Sequence, residues 1–267
     1  MSLRVLVFDS GDPKFDLAFE EALARLRARD KIPDTLRLWR TSRSVVLGYF
    51  RSAEEDVNLD VASNEGIPLI RRFSGGGTVY LDRGCVNYSI VMKREVEFPI
   101  SYLYGTVLQG TLTALESLGL SPYLRNTNDV VVNGRKVSGT AASIRWGVLF
   151  LHGSVLVDAD LMTLRALLRV PGRLKPSVDP VKYRVANLLE FVEGLDVDSV
   201  MDALIGGYSK VLSEDAYVDE PSKEELDVAR ILYRFKYSHE EWNLRLPSSH
   251  LASIEENVET ELRGLGL

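Results

Sequence analysis

The stretch "RRFSGGGTVYLDRGCVNYSI", residues 71–90, sets two arginines ahead of three consecutive glycines and a strand-like run after them. Glycine loses more backbone freedom on ordering than any other residue, so a triplet marks a tight turn or a close approach to the backbone. Bare N–H groups of this kind cradle phosphate or carboxylate oxygens, and a plain flexible turn is the competing reading. On alternating strand geometry only one of Arg71 and Arg72 shares the side of the sheet that faces the loop. No Gly-Lys-Ser/Thr follows the glycines and no helix opens after them, which excludes a P-loop and a dinucleotide fingerprint.

Outward from this stretch, strands and helices mix without strict alternation, which favours an α+β sheet over a doubly wound one. Upstream, Asp12-Pro13 supplies an N-cap and first-turn proline for a helix whose apolar stripe is Phe15, Phe19, Ala22, Leu23 and Leu26. "LRLWR" and "SVVLGYF" read as two strands joined by "TSR" as a hairpin, and "IPLIRRF" as the strand feeding the glycines. Downstream, "VNYSIVM" is a strand and Ser101–Leu118 carries a helical stripe that Gly105 and Gly110 weaken. Helices follow near Leu161–Arg169, Ser199–Leu212 and Lys223–Arg234, the last opening on a capping box of Ser222 and Glu225.

Composition limits the function classes. With 45% hydrophobic and 26% charged residues the chain is an ordinary globular protein, and its net charge of −6 gives no global basic field for nucleic acid. Any positive site is local. The single cysteine, Cys85, excludes an internal disulfide and a cysteine-based zinc site and fits a reducing cytoplasm. The start "MSLRVLVFDSGDPK" turns polar too early for a signal peptide or a membrane span.

A second stretch carries chemistry. In "NDVVVNGRKVSGTAAS", residues 128–143, an Asn133-Gly134 turn makes a hairpin whose far arm begins Arg135-Lys136 and runs into small residues. A solvated turn lysine is the bland reading. In the sharper one, small residues leave room for a ligand and Lys136 offers a point charge where negative charge builds up in acyl or phosphoryl chemistry.

Taken together and in order, "SVVLGYF", "RRFSGGGTVYLD", "NDVVVNGRKVSGTAAS", "FLHGSVLVDADL" and "RVANL" resemble the lipoate-protein ligase A family, with weaker agreement out to "EEWN" at 240–243. The resemblance implies the biotin/lipoate ligase catalytic fold, with mixed, mainly antiparallel sheets and flanking helices, similar to the class II aminoacyl-tRNA synthetase core. It implies an ATP- and Mg2+-dependent enzyme that activates lipoate or octanoate to the acyl adenylate. The acyl group then passes to a lysine of a lipoyl-domain acceptor, a glycine cleavage H protein or a 2-oxoacid dehydrogenase subunit. Lys136 matches the family's essential lysine, with Arg72, Gly75, Gly76 and Gly77 at the acyl-phosphate. Asn128 and Asp129 match its "ND" pair, for which ligand contact and an Asx-turn role both stay open. Ser138, Gly139 and Ala141 would wall the nucleotide side. Leu47, Gly48 and Tyr49 would form the acyl tunnel, with His152 beside it and Asn87 as a further polar contact. Arg71 fits an ordinary surface arginine, and no metal-ligating residue is assigned.

The chain departs from the family pattern at Leu81-Asp82, where many members carry His-Asp, and at Thr78, often alanine. Residues 1–243 would form the catalytic domain and 244–267 an extension in which Ile254, Val258 and Leu262 space a short helix. Single-chain ligases of this type continue into an accessory C-terminal domain, so a separate subunit is expected to supply it. The rival readings are an octanoyltransferase acting from acyl carrier protein and a non-catalytic acyl-adenylate binding protein. The transferase needs a nucleophilic cysteine, and neither "RNTNDVVV" nor "LLRVPGRLK" has one.

Overall fold

The computed structural model describes residues 2–170, 183–246 and 249–267, so part of the "LLRVPGRLK" loop lies outside the described residues. Eleven strands are described: β1 (Ser2–Val7), β2 (Thr35–Trp39), β3 (Ser44–Leu47), β4 (Leu69–Arg71), β5 (Val79–Leu81), β6 (Cys85–Met92), β7 (Tyr123–Arg125), β8 (Asp129–Val132), β9 (Arg135–Arg145), β10 (Val148–Leu156) and β11 (Asp215–Asp219). Eight form one sheet in the order β11-β1-β2-β6-β10-β9-β8-β7, and β4-β3-β5 form a second. Pairing is parallel at β1–β11, β1–β2 and β3–β4 and antiparallel elsewhere. This is the mixed, mainly antiparallel α+β architecture expected from the sequence.

Helices cover both faces of the large sheet. On one lie α1 (Pro13–Ala28), α8 (Lys223–Leu232) and α10 (Ser249–Gly264), sharing a core with Val91, Phe150 and Leu156. On the other lie α5 (Gln109–Ser117) and α7 (Val197–Leu212), packed on Leu36, Val86, Tyr88 and Ile90. That double cover is why "CVNYSIVM" is buried at every position. Its alternation sends Val86, Tyr88, Ile90 and Met92 toward α5 and α7. Cys85 and Val91 face the α1 side, and the polar pair Asn87 and Ser89 lies between them on that face.

The local signals explain most boundaries. Asp12 caps α1 by accepting from the Lys14 N–H, with Pro13 in the first turn. Ser222 and Glu225 make a reciprocal capping box on α8. Asn133 and Gly134 both take positive φ, as a two-residue hairpin turn requires. The helix around Gly105 survives as a π-turn over Leu103–Val107 that leads into α5.

One expected connection is wrong. "LRLWR" and "SVVLGYF" do not form a hairpin: β2 pairs with β1 and β6, whereas β3 crosses to the small sheet between β4 and β5. Strand propensity describes a half-buried pleated surface and says nothing about which partner supplies it.

The tail packs into the core. Leu251, Ile254, Val258 and Leu262 of α10 are buried in the cluster that holds Leu23 and Leu26 of α1. An ionic knot fastens it. Glu21, fully buried, accepts from Arg25 Nε at 2.8 Å, Lys236 Nζ at 2.9 Å and the Tyr237 hydroxyl at 2.7 Å. Arg25 and Lys236 also reach Glu255 of α10, and Arg25 reaches Glu259. Burial by itself would raise the Glu21 carboxyl; Lys236 and Arg25 outweigh it and hold it well below the ordinary range.

Glu21→Gln, which leaves two buried cations short of charge, should lower the urea unfolding free energy by about 3 kcal/mol. Because the folded pKa of Glu21 is depressed, its contribution is complete above pH 4.5 and drains away as pH falls toward about 2. The acid unfolding curve of the Gln variant should be correspondingly shallower over that window.

Candidate active site

A cleft opens on the α1 face of the large sheet. Its floor is a cross-strand row: Trp39 of β2 opposes Asn87 of β6, which opposes Ser154 of β10, then Gly139 of β9 and Asp129 of β8. All five line the cleft. Two residues along, His152 opposes Ala141, and both also line it. Leu17 of α1 and Val46, Val79 and Leu81 of the small sheet form an apolar end around Trp39, and Glu20 of α1 lines the cleft beside His152.

Lys136 stands at the β8–β9 side. Its Nζ lies 2.5 Å from Asp129 Oδ1, whose other oxygen accepts from Asn126 Nδ2 at 3.0 Å. The lysine side chain folds back over Gly139, where a Cβ would come within 2.6 Å of Nζ. Its backbone is fixed by donation to the Arg184 carbonyl at 2.7 Å and acceptance from the Ala186 N–H at 3.0 Å. Asn128 lines the cleft, and its Nδ2 donates to the Thr140 carbonyl at 2.6 Å, which spends that end of the carboxamide on the strand.

The two arginines diverge as alternation requires. Arg72 is buried under the glycine loop and donates to Gly75 O at 2.6 Å, Gly77 O at 2.7 Å, Val46 O at 3.3 Å and Ser74 Oγ at 3.1 Å. Burial without a carboxylate partner in contact pushes its guanidinium down to about 10. Arg71 is no surface arginine. It is fully buried and donates to the carbonyls of Gly48, Tyr49, Arg51 and Trp242 at 2.7 to 3.0 Å. Trp242 Nε1 and Asn243 Oδ1, from α9 (Glu240–Leu244), cap the free edge of β4 by pairing with the Arg71 backbone.

The glycines answer to different neighbours. Gly77 lines the cleft. Gly76 sits at φ +91°, and a Cβ there would meet Arg72 Nη2 at 2.8 Å and Ala141 Cβ at 3.1 Å, so the loop itself demands glycine. At Gly75 a Cβ would meet nothing within 4 Å. The proposed tunnel residues need correction. A Cβ on Gly48 would lie 2.2 Å from the Gly76 carbonyl, so Gly48 props the loop, and Leu47 is buried in the small sheet's own core. Tyr49 packs on Trp242 at 5.8 Å. Ser138 points to the opposite face beside Tyr88, off the cleft wall.

His152 lines the cleft with both ring nitrogens engaged: Ser74 Oγ at 2.7 Å from Nε2 and Glu20 Oε2 at 3.0 Å from Nδ1. Sequence reasoning missed Glu20, Trp39, Ser74 and Ser154. The signal for Glu20 was present, since Glu20-Glu21 interrupts the apolar stripe of α1. Both departures line the cleft: Thr78, whose hydroxyl donates to Asp56, and Leu81, which adds apolar surface, while the neighbouring Asp82 accepts the N–H groups of Gly84 and Asp160, both at 2.8 Å. Cys85 is fully buried, and burial pushes its thiol up to about 12.

Known proteins share this chain's sequence and fold over most of its length. The model of the lipoyl protein ligase A/B catalytic domain matches residues 12–209. A structure from the lipoylation system of Thermoplasma acidophilum, described as a bi-partite lipoate protein ligase and its E2 lipoyl domain, is 35% identical, with coverage of 93% of this chain and 98% of its own, and superposes with a TM-score of 0.82. A lipoate-protein ligase A bound with ATP is 36% identical, with coverage of 92% and 100% and a TM-score of 0.83. A T. acidophilum protein with bound lipoic acid is 33% identical, with coverage of 92% and 100% and a TM-score of 0.80. The chain belongs to the lipoyl protein ligase A/B catalytic domain family, as an enzyme of its ligase branch.

Proposed function

We propose that the chain activates lipoate, or octanoate, with ATP to the acyl adenylate and transfers the acyl group to a lysine of a lipoyl-domain acceptor. The observation that supports this most is the placement of Lys136, an ammonium laid over Gly139 at one end of a cleft whose other end is apolar. In activation, a carboxylate oxygen of the acid attacks the α-phosphorus, the bond to the bridging oxygen breaks, and pyrophosphate leaves. In transfer, the acceptor amine attacks the acyl carbonyl, AMP leaves with the bonding pair, and the amine gives up a proton. Negative charge grows on the acyl or phosphate oxygens in both steps, and a fixed ammonium such as that of Lys136 would stabilise it in each. Asp129 holds the lysine until those oxygens arrive. Mg2+ comes with the nucleotide, whose phosphates supply much of its shell; among the described residues no group of three His, Cys, Asp or Glu forms a separate metal site.

An acyl transferase would need a reactive thiol in the cleft. Cys85, the sole thiol, is off the cleft wall, and its raised pKa keeps it protonated. A purely binding role would leave no work for a lysine held in this way. Similarity to a bi-partite ligase supports a second polypeptide that assists activation. No helix among the described residues is long and apolar enough to cross a membrane.

Intact-mass analysis of an apo lipoyl domain tests the reading. Lys136→Met should slow acyl transfer on the order of a hundredfold to a thousandfold while lipoate still binds. Gly139→Ala, which displaces the ammonium without removing it, should fall between that variant and the parent. With synthetic lipoyl adenylate the chain alone should modify the acceptor, whereas lipoate plus Mg-ATP should require the accessory subunit. Full activity of the lone chain with ATP would remove the need for that subunit, and no modification from the adenylate would remove the ligase reading.

A further inference from the structure

Two adjoining residues take the left-handed backbone region in the turn between β7 and β8, Asn126 at φ +49° and Thr127 at φ +69°. Asparagine tolerates that region, whereas a β-branched residue in it is strained. The Asn133-Gly134 turn repeats nearly the same pair of angles, +48° and +72°, with glycine where this turn has threonine. Strain of this sort persists where the surroundings fix it, and it gathers near functional groups. Here the next residue, Asn128, pins the exit of the turn to β9. Its Nδ2 donates to the Thr140 carbonyl at 2.6 Å, and its own carbonyl accepts from the Thr140 N–H and Oγ1, both at 3.0 Å. From that fixed turn Asn126 reaches back to β8, where its Nδ2 donates to Asp129 Oδ2 at 3.0 Å.

That bond bears on the aim of Lys136. Regular alternation would set Lys136 and Gly139, three residues apart on β9, on opposite faces of the sheet, yet both line the cleft. A β-bulge reconciles them: Val130 pairs with Ser138 and Val131 with Lys136, which leaves Val137 out of the pairing. Lys136 therefore stands where the ladder is disturbed, and its backbone bonds go to Arg184 and Ala186. Its side chain is held instead by Asp129, whose Oδ1 lies 2.5 Å from Nζ. The terminal torsion of an aspartate is broad, so a fixed place on β8 does not by itself aim the carboxylate oxygens. Asn126 removes that freedom by holding Oδ2.

We propose that Asn126 is a positioning residue for the reaction: it fixes the rotation of the Asp129 carboxylate, which in turn holds the Lys136 ammonium over Gly139. The inference rests on the ligase reading above, since it concerns how the lysine of that reading is aimed. Asp129 and Lys136 line the cleft and Asn126 does not, so its influence passes through the carboxylate. An ammonium that is already aimed needs no reorganisation when charge develops beside it, which is where preorganised groups gain their effect. Thr127 is the strained member that keeps the carboxamide turned toward β8.

Rates of acyl transfer from synthetic lipoyl adenylate to an apo lipoyl domain, followed by intact mass, test the role with two variants that keep the left-handed turn. Asn126→Gly removes the carboxamide, and Asn126→Asp keeps its shape while replacing the donor with a carboxylate. Each should lower kcat about tenfold, the size of one hydrogen bond to a charged group, and leave the KM for the acceptor within about twofold of the parent. A double-mutant cycle separates positioning from mere support of the turn. In a Lys136→Met background either substitution should slow transfer further by less than about twofold, because the group being aimed is gone. Parent-like rates in both variants, or the same tenfold loss in the Lys136→Met background, overturn the positioning role and leave the ligase standing. A parent that transfers nothing from the adenylate removes the ligase reading and the positioning role with it.

Discussion

Two adjacent buried guanidinium groups, satisfied largely by backbone carbonyls, hold the site together. A buried cation is expensive unless paired, and a carboxylate is the usual remedy. Here the oxygens within reach of Arg71 belong to the turn after β3 and to α9, and those within reach of Arg72 belong mainly to the glycine loop. Each carbonyl dipole is fixed by its peptide plane, so satisfying the cations also fixes the path of two loops and the tail. A lysine in either place could not span those fans of acceptors, because it offers a point charge where arginine offers a rigid fork. The small sheet, the glycine loop and α9 are therefore one mechanical unit laid over the large sheet.

Beneath that unit, the large sheet supplies a floor whose chemistry changes along one row. Asp129 is charged and pairs with Lys136, Gly139 is bare, Ser154 and Asn87 are polar, and Trp39 ends the row with an aromatic face and a single donor. Such a row can exist because successive strands supply one residue each, in register, to the same face. The antiparallel ladder through β2, β6, β10, β9 and β8 is thus the ruler of the site. A one-residue slip at any junction would turn the whole contribution of that strand to the other face.

That dependence explains what the sequence revealed and what it hid. Local conformational signals were readable: the Asp12-Pro13 helix start, the Asn133-Gly134 turn, the glycine triplet and the lysine just past the hairpin. Features that arise from pairing were not. Trp39 reads as an ordinary strand aromatic until β2 is placed beside β6, and Ser154 as one small residue in an apolar run until it opposes Gly139. The false hairpin between β2 and β3 has the same origin, since nothing in "TSR" reports that the chain changes sheets there. Gly48 was singled out for a real reason and given the wrong neighbour: it is small because the Gly76 carbonyl is close, a contact between positions 28 residues apart in sequence.

Helix α1 shows how the remaining parts are coupled. Glu20 and Glu21 are adjacent, and successive helical positions point about 100° apart, so one carboxylate can serve the cleft and the other the tail. Glu20 meets His152, whose far nitrogen meets Ser74 of the glycine stretch. Glu21 meets Lys236, Arg25 and Tyr237, and through those cations reaches Glu255 of α10. The same helix turn therefore bears on the histidine of the cleft wall and on the C-terminal helix. A second link runs through the shared apolar core, where the α10 residues join the cluster that holds Phe150, whose ring packs on His152 at 4.8 Å. Packing on this face is dense and apolar, with Leu23, Leu26, Val258 and Leu262 fully or almost fully buried, so α1 transmits a displacement of α10 as a rigid body. The tail is in this sense a support of the cleft wall, although none of its described residues touches the cleft.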